Sequence, residues 1–208
     1  FTRSLVMTEP VEASRLAVES LAAALEANER LATANAEIML RHRFGSRAAS
    51  GATLGTRVWP GGGNEALQSF VGEHFDLVTL PIRWREIAVE EGRYVWGPLD
   101  RWMAWASERG MPVIAGPLAD FSAASVPDWL YVWQHDFEQC LEMLYGFMEQ
   151  VVARYAGRVA MWNLASGINL NDNLSVTAAQ MTSVVRNARL LVKQYRPKAR
   201  AMVEVRQP

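Results

Sequence analysis

The sequence predicts an α/β fold in which a parallel sheet is built from strands that alternate with helices, and three observations support this. Short apolar segments such as 78–82 and 112–116 lack polar alternation, as expected of strands that are covered on both faces. Longer segments with apolar residues at helical spacing separate these strands. Pro98 and Gly110 mark the start and the end of one such helix. Together these patterns predict right-handed βαβ units.

A helical extension precedes the alternating region. Residues 10–43 are rich in Ala, Leu and Glu, and they predict one long amphipathic helix, or two helices joined near Asn28. The apolar residues at helical spacing are Leu21, Leu25, Leu31 and Ile38. A connector of Gly, Ser and Ala follows, and we place the domain boundary there. The expected domains are an N-terminal extension at 1–51 and a second domain at 52–208.

The second domain divides into five strands and four helices. We predict strands at 52–59, 76–84, 111–120, 158–166 and 199–207. We predict helices at 64–75, 98–110, 136–157 and 177–195. Asn64 is the expected N-cap of the first of these helices. The segment 86–97 is expected to be a loop.

Five strands fit either an open doubly wound sheet or the first five units of an eight-unit barrel. The glycine-rich stretch at 60–66 lacks both the GxGxxG spacing and the Walker lysine, which disfavours nucleotide binding. Five barrel units would leave parallel edges at the first and fifth strands, and such edges need a cover. We therefore expect that the polypeptide continues beyond Pro208 or that a partner closes the sheet.

Composition excludes several functional classes. The net charge is −1 and basic residues are not clustered, so no nucleic-acid partner is expected. No apolar run approaches the roughly 20 residues of a membrane span. Cys140 is the only cysteine and lies on an apolar helical face, which favours a buried thiol over a nucleophile. The three histidines have no neighbour at ligand spacing, so no metal site is expected. No cofactor is expected either. No cellular compartment is assigned.

Five segments of the second domain follow one another as in a known enzyme family. They are FDLVTLPIRW at 75–84, residues 90–116, VPDWL at 126–130, RYAGRVAMWN at 154–163 and YRPKARAMVEV at 195–205. In their order and in their amino-acid sequence they resemble glycoside hydrolase family 10, the β-1,4-xylanase barrels. The resemblance implies a TIM-type (β/α)8 barrel, of which about the first five βα units are present after the N-terminal helix.

The resemblance also implies a retaining mechanism with two carboxylates about 5–5.5 Å apart. The acid/base of the family ends the fourth strand, and the matching position here is Gly167. Glycine has no group that transfers a proton, so general acid catalysis is not expected at this position. The nucleophile of the family lies on the seventh strand, which this sequence does not reach. The histidine of strand three and the Glu-Asn pair of strand two are also replaced.

Three other carboxylates near strand ends are candidates for a relocated acid. Asp120 follows the third strand, and the alternative is that it caps a turn. Asp172 follows the fourth strand, and the alternative is a residue of a turn and helix entry. Glu204 points into the barrel if it shares a face with Met202, and the alternative is an edge residue paired with Arg206.

Seven of the eight tryptophans fall into two groups. Trp102, Trp105 and Trp162 fall inside predicted helices or strands and are expected in the core. Four others lie at strand ends or in loops, where an aromatic face stacks on a sugar ring or packs over the barrel mouth: Trp59, Trp84, Trp129 and Trp133. The substrate-binding candidates are Trp59, Trp84, Trp129, Arg83 and Asn163.

The leading interpretation is a degenerate, non-catalytic barrel domain that serves as a carbohydrate-binding or structural module. Its expected partners are a β-1,4-glycan and either a protein or a missing C-terminal barrel half. The first alternative is an active endo-β-1,4-glycanase with a relocated acid and a nucleophile outside this sequence. The second alternative is a purely structural subunit of a larger complex.

Overall fold

The computed structural model describes residues 10–44, 53–62, 65–170, 173–174 and 176–205, and the chain divides into two compact units between residues 52 and 53. The first unit contains helix α1 (Pro10–Phe44), which is continuous through Asn28. Ion pairs one turn apart join Arg30 to Glu26 and Arg41 to Glu37, as is favourable on an exposed helix. Among the described residues, no helix is long and apolar enough to cross a membrane.

The second unit alternates strands and helices. Its strands are β1 (Gly55–Arg57), β2 (Leu77–Leu80), β3 (Ala88–Glu90), β4 (Arg93–Tyr94), β5 (Val113–Ala115), β6 (Met161–Ser166) and β7 (Arg200–Glu204). Its helices are α2 (Glu65–His74), α3 (Trp84–Ile87), α4 (Gly97–Glu108), α5 (Phe137–Tyr155) and α6 (Ala178–Tyr195). Short 3-10 segments occur at Pro60–Gly62 and Asp128–Trp133.

The main sheet has five strands in the order β1-β2-β5-β6-β7, and every neighbouring pair is parallel. This confirms the predicted α/β class with a parallel sheet. Strands that are neighbours in the sheet follow one another in the chain, as in barrels, whereas a doubly wound sheet reverses its order.

The main strands are shorter than predicted, and two of the differences have a clear local cause. β2 ends at Leu80, before Pro81, because proline has no N–H for the strand ladder. The segment 86–97, which was expected to be a loop, contains the end of α3 and then a hairpin formed by β3 and β4. Gly92 at φ +71 makes the hairpin turn, and Arg93 pairs with Glu90 across it. The expected N-cap, Asn64, lies outside the described residues.

The strand register assigns the side chains to two faces of the sheet, because paired residues of parallel strands lie on the same face. One face contains Val78, Leu80, Ala115 and Trp162, each 0% exposed, and it meets the helices. The other face, termed the open face, is only partly covered. Its residues are Arg57, Thr79, Ile114, Met161, Asn163, Arg200, Met202 and Glu204.

The open face is on the inside of a curved sheet. Arg57 on the first strand and Glu204 on the last form an ion pair of 3.2 Å. In a flat sheet of five strands the two edges would be about 19 Å apart, since neighbouring strands are separated by about 4.8 Å. The contact therefore requires a sheet that bends around this face, as in part of a barrel wall.

The core lies between the sheet and its helices. Trp102, Trp105 and Trp162 are buried, as expected from their positions in helices and in a strand. Asp136 begins α5 by accepting a hydrogen bond from the amide of Gln139. Thr177 begins α6 through a reciprocal capping box with Gln180. These caps fix the starts of two crossover helices.

Candidate functional site

The carboxyl ends of the parallel strands are the edge at which barrel enzymes place their ligands. Trp59 follows β1, and Arg83 follows β2 on the neighbouring strand. The guanidinium carbon of Arg83 lies 3.7 Å from the centroid of the Trp59 ring, a cation–π contact. Arg83 also forms an ion pair of 3.3 Å with Glu86. An aromatic ring, a cation and an anion therefore meet at the ends of two strands.

These three side chains line a cavity of about 310 Å³, termed the Trp59–Arg83 pocket. Apolar residues complete its walls: Pro60, Pro81, Ile87, Val95 and Leu99. The Arg83 and Glu86 side chains are 38% and 42% exposed, so their polar atoms are accessible from solvent. Apolar walls with a few polar groups are typical of a small-ligand site.

Trp84 and Trp129, two of the substrate-binding candidates, both make packing contacts within the protein. Trp84 is 5% exposed, because the chain enters α3 at this residue and directs the ring into the core. Its ring stacks on Phe147 at 5.6 Å and meets the edge of Trp129 at 5.8 Å. Trp129 donates its indole N–H to the carbonyl of Ala88 at 2.9 Å. Both rings are therefore engaged in packing, and Trp84 has no accessible face.

The end of β6 has no acidic side chain at the position matched to the acid/base. Gly167 adopts φ +66, a left-handed conformation that favours glycine, and its N–H donates to the carbonyl of Glu204 at 3.2 Å. Asn163 is 3% exposed, and its amide nitrogen donates to the Glu204 carboxylate at 3.1 Å. The amide oxygen of Asn163 is buried without a hydrogen-bond partner in the structure.

Glu204 takes part in a brace across the open face, which we define as Arg57, Asn163 and Glu204. The carboxylate oxygen Oε2 receives hydrogen bonds from both other members. Glu204 does share a face with Met202 and does point into the curved sheet. Its described ion-pair partner is Arg57, while Arg206 lies outside the described residues. The contacts of this carboxylate join the two edge strands of the sheet.

The remaining candidates divide between a turn cap and a residue outside the described chain. Asp120 accepts a hydrogen bond from the amide of Ser122 at 2.9 Å and so caps the turn that follows β5. Asp172 lies outside the described residues.

Burial raises the pKa of the Cys140 thiol, and the nearby Asp136 carboxylate raises it further, so the thiol is held in its unreactive form. Within the described ranges, no group of three His, Cys, Asp or Glu residues is placed to bind a metal ion.

Sequence reasoning identified Trp59 and Arg83 separately, but it did not identify their contact or the role of Glu86. It also missed the brace, because Arg57 and Glu204 are 147 positions apart. A signal was present in the alternation of Met161 with Asn163 and of Met202 with Glu204, which places both polar residues on one face.

Comparison with known proteins identifies the family. Residues 45–189 match the family model of Glycosyl hydrolase family 10. Endo-1,4-beta-xylanase C of Paenibacillus barcinonensis is 26% identical over 104 residues, which cover 46% of this chain and 9% of that protein.

Solved xylanases share the fold. Xylanase 10B of Thermotoga maritima superposes with a TM-score of 0.60 at 19% identity, over 73% of this chain and 49% of its own. Xylanase 10B of Thermotoga petrophila, solved with xylobiose, superposes with a TM-score of 0.60 at 19% identity, over 72% of this chain and 48% of its own. This chain therefore spans about half the length of these barrels, which agrees with a sheet of five parallel strands. Because the family match covers well over half of the sequence, the protein belongs to glycosyl hydrolase family 10.

Proposed function

We propose that this chain is a non-catalytic family 10 domain that binds a β-1,4-glycan in the Trp59–Arg83 pocket. The observation on which the proposal rests is the contact of Arg83 with the Trp59 ring beside Glu86, at the ends of β1 and β2. The glycan class follows from the relatives, which are named as xylanases, one of them solved with xylobiose.

The chemistry of the pocket suits a sugar. Pyranose rings have C–H faces that pack on apolar and aromatic walls, and hydroxyl groups that need donors and acceptors. Arg83 provides only donors and Glu86, when ionised, only acceptors, so together they can pair with neighbouring hydroxyl groups. Arg83 covers one face of Trp59, and a bound sugar would therefore meet the guanidinium and the remaining walls of the pocket.

Loss of catalysis is supported by the residues around the end of β6. Gly167 occupies the position matched to the acid/base and has no proton to transfer. Asp120 is engaged in its turn, and Glu204 is held by Arg57 and Asn163. Among the residues that line the Trp59–Arg83 pocket, Glu86 is the one carboxylate, and it pairs with Arg83.

Calorimetric titration with xylo-oligosaccharides tests the binding proposal. We expect saturable binding that weakens at least tenfold in Trp59→Ala and in Arg83→Ala. The matched controls are Trp133→Ala, a half-exposed ring outside the pocket, and Arg93→Ala, whose ion pair with Glu90 lies on the hairpin. Binding that is lost equally in the controls, or no binding by the parent protein, would contradict the proposal.

An assay with an aryl β-xylobioside separates the proposal from the active-enzyme alternative. We expect no release of the aryl group. Release that disappears in Asp120→Asn or in Asp172→Asn would instead support a relocated acid. A purely structural role would give neither binding nor turnover. The open face of the sheet and the edges of β1 and β7 would then be the surfaces that a protein partner or further barrel units cover.

A further inference from the structure

Helix α1 has an exposed apolar stripe along most of its length. Its 35 residues extend for about 52 Å, at about 1.5 Å per residue. The large apolar side chains on this stripe are each more than half exposed: Val11, Val18, Leu21, Leu25, Leu31, Ile38 and Met39. A long stripe of this kind marks an interaction surface when it is organised to fit a partner.

The stripe repeats every seven residues. One set occupies positions 11, 18, 25, 32 and 39 (Val, Val, Leu, Ala and Met), and the second set follows each by three, at 14, 21, 28 and 35 (Ser, Leu, Asn and Asn). These are the a and d positions of a heptad, and we call them the seam; the a set is apolar throughout, whereas Leu21 is the one apolar residue of the d set. In a straight helix, residues seven apart are rotated by about 20° about the helix axis. A strict seven-residue repeat therefore stays in contact with a second helix only when the two helices supercoil around each other.

The opposite side of the helix is suited to solvent. Ion pairs between Arg30 and Glu26 and between Arg41 and Glu37 lie outside the seam. Positions directly before the first set, at 17, 24, 31 and 38, are Ala, Ala, Leu and Ile, which widen the apolar surface on one side only. The helix therefore presents one face to a partner and one to water.

The polar members of the seam favour an identical partner in parallel orientation. In a parallel, in-register pair, Asn28 meets Asn28 and Asn35 meets Asn35 of the second copy, and each amide can donate to and accept from its equivalent. In an antiparallel pair with aligned ends, Asn28 would face Leu25 and Asn35 would face Val18. Burying an amide against an aliphatic side chain leaves its hydrogen bonds unmade, which is unfavourable.

From this geometry we propose that α1 associates with α1 of a second copy of the chain as a parallel, in-register, two-stranded coiled coil. The proposal is independent of the glycan-binding role, because it rests on the seam and not on the second unit.

Analytical ultracentrifugation of the 208-residue protein tests the association. We expect a dimer, and we expect the double variant Leu21→Glu, Leu25→Glu to sediment as a monomer because it places four charges in the paired seam. The matched control is Ala23→Glu, Ala27→Glu, which adds the same charges at exposed positions outside the seam and should remain dimeric. Near-ultraviolet circular dichroism checks that the tryptophan-rich second unit is folded in both variants.

A parent protein that is monomeric at every concentration, or a double variant that remains dimeric, would overturn the proposal. Co-sedimentation only with a different protein would overturn it as well, since the occupant would then not be a second copy.

Cross-linking tests the orientation. A parallel pair places residue 14 of each chain side by side, so Ser14→Cys should form a disulfide-linked dimer on mild oxidation. An antiparallel pair places the two residues about 37 Å apart, which is about 25 residues at 1.5 Å each, and gives no link. Ala23→Cys, outside the seam, is the control that should not link. The native Cys140 is 5% exposed and is expected to stay reduced in all of these proteins. A dimer that fails to link through residue 14 would overturn the parallel arrangement.

Discussion

Replacement of Gly116 by alanine should destabilise the second unit strongly, because Gly116 combines a restricted backbone conformation with a close contact. Its φ is +129, a value that L-amino acids rarely adopt. A Cβ atom at this position would lie 2.2 Å from the carbonyl oxygen of Asn163 and 3.0 Å from its Cβ. The carbonyl of Asn163 cannot move freely, since it accepts a hydrogen bond of 3.0 Å from the amide of Leu118.

Two contributions make up the expected loss in the free energy of unfolding of Gly116→Ala. A non-glycine residue in such a backbone conformation costs about 1–3 kcal/mol. Insertion of a methyl group into a packed region costs about 1–3 kcal/mol more. The sum is about 2–6 kcal/mol, which is a large part of the roughly 5–15 kcal/mol that stabilises a typical domain.

Urea denaturation followed by tryptophan fluorescence measures this loss. The matched control is Gly146→Ala on the exposed side of α5, where an added Cβ meets no atom within 4 Å. That substitution should stabilise the protein by about 0.5–1 kcal/mol, because alanine favours helix more than glycine does. If Gly116→Ala cost less than about 1 kcal/mol, the close approach of β5 and β6 described above would be incorrect.

Three further predictions concern other parts of the second unit. Hydrogen bonds from Arg154 lower the pKa of Asp100 in the folded protein below its usual 3.8. The ionised carboxylate therefore stabilises the fold above pH 3.8, and this stabilisation is lost as the pH falls through the pKa that Asp100 has in the folded protein. Urea midpoints should therefore fall less on acidification from pH 5 to pH 2 in Asp100→Asn than in the parent. Gly167→Ala should cost about 1 kcal/mol in the same assay, because φ is +66; an unchanged midpoint would contradict that backbone conformation. Thr177→Ala should cost about 1 kcal/mol and lower the thermal midpoint, since it removes the capping box of α6; no change would mean that water replaces the cap.

Most of the regular structure was predictable because its signals are local. Apolar runs bounded by polar segments locate β2, β5 and β6, and helical spacing locates α4, α5 and α6. The parallel pairing could be predicted because the segments between the main strands are long enough to contain a helix, as the crossover between parallel strands requires. The hairpin of β3 and β4 was not predicted, because its strands are two or three residues long and alternate weakly.

The candidate site was predicted less completely, because neighbouring residues in the chain meet different environments. Arg83 lines the pocket, whereas Trp84 enters the core, and only the start of a helix at Trp84 separates the two outcomes. The contact between Trp59 and Arg83 depends on the pairing of β1 with β2, which no local pattern specifies. Partners distant in sequence become visible only once the sheet order and curvature are known.

The brace between Arg57 and Glu204 has a consequence for biosynthesis. The residues are 147 positions apart, so at about 5–20 residues per second Arg57 is made roughly 7–30 s before its partner. Each main strand pairs with the main strand made before it, and the sheet can therefore grow in the order of synthesis. Throughout that interval the charge of Arg57 lacks its partner on β7. The contact that joins the two edge strands across the open face therefore forms only after β7 has been made.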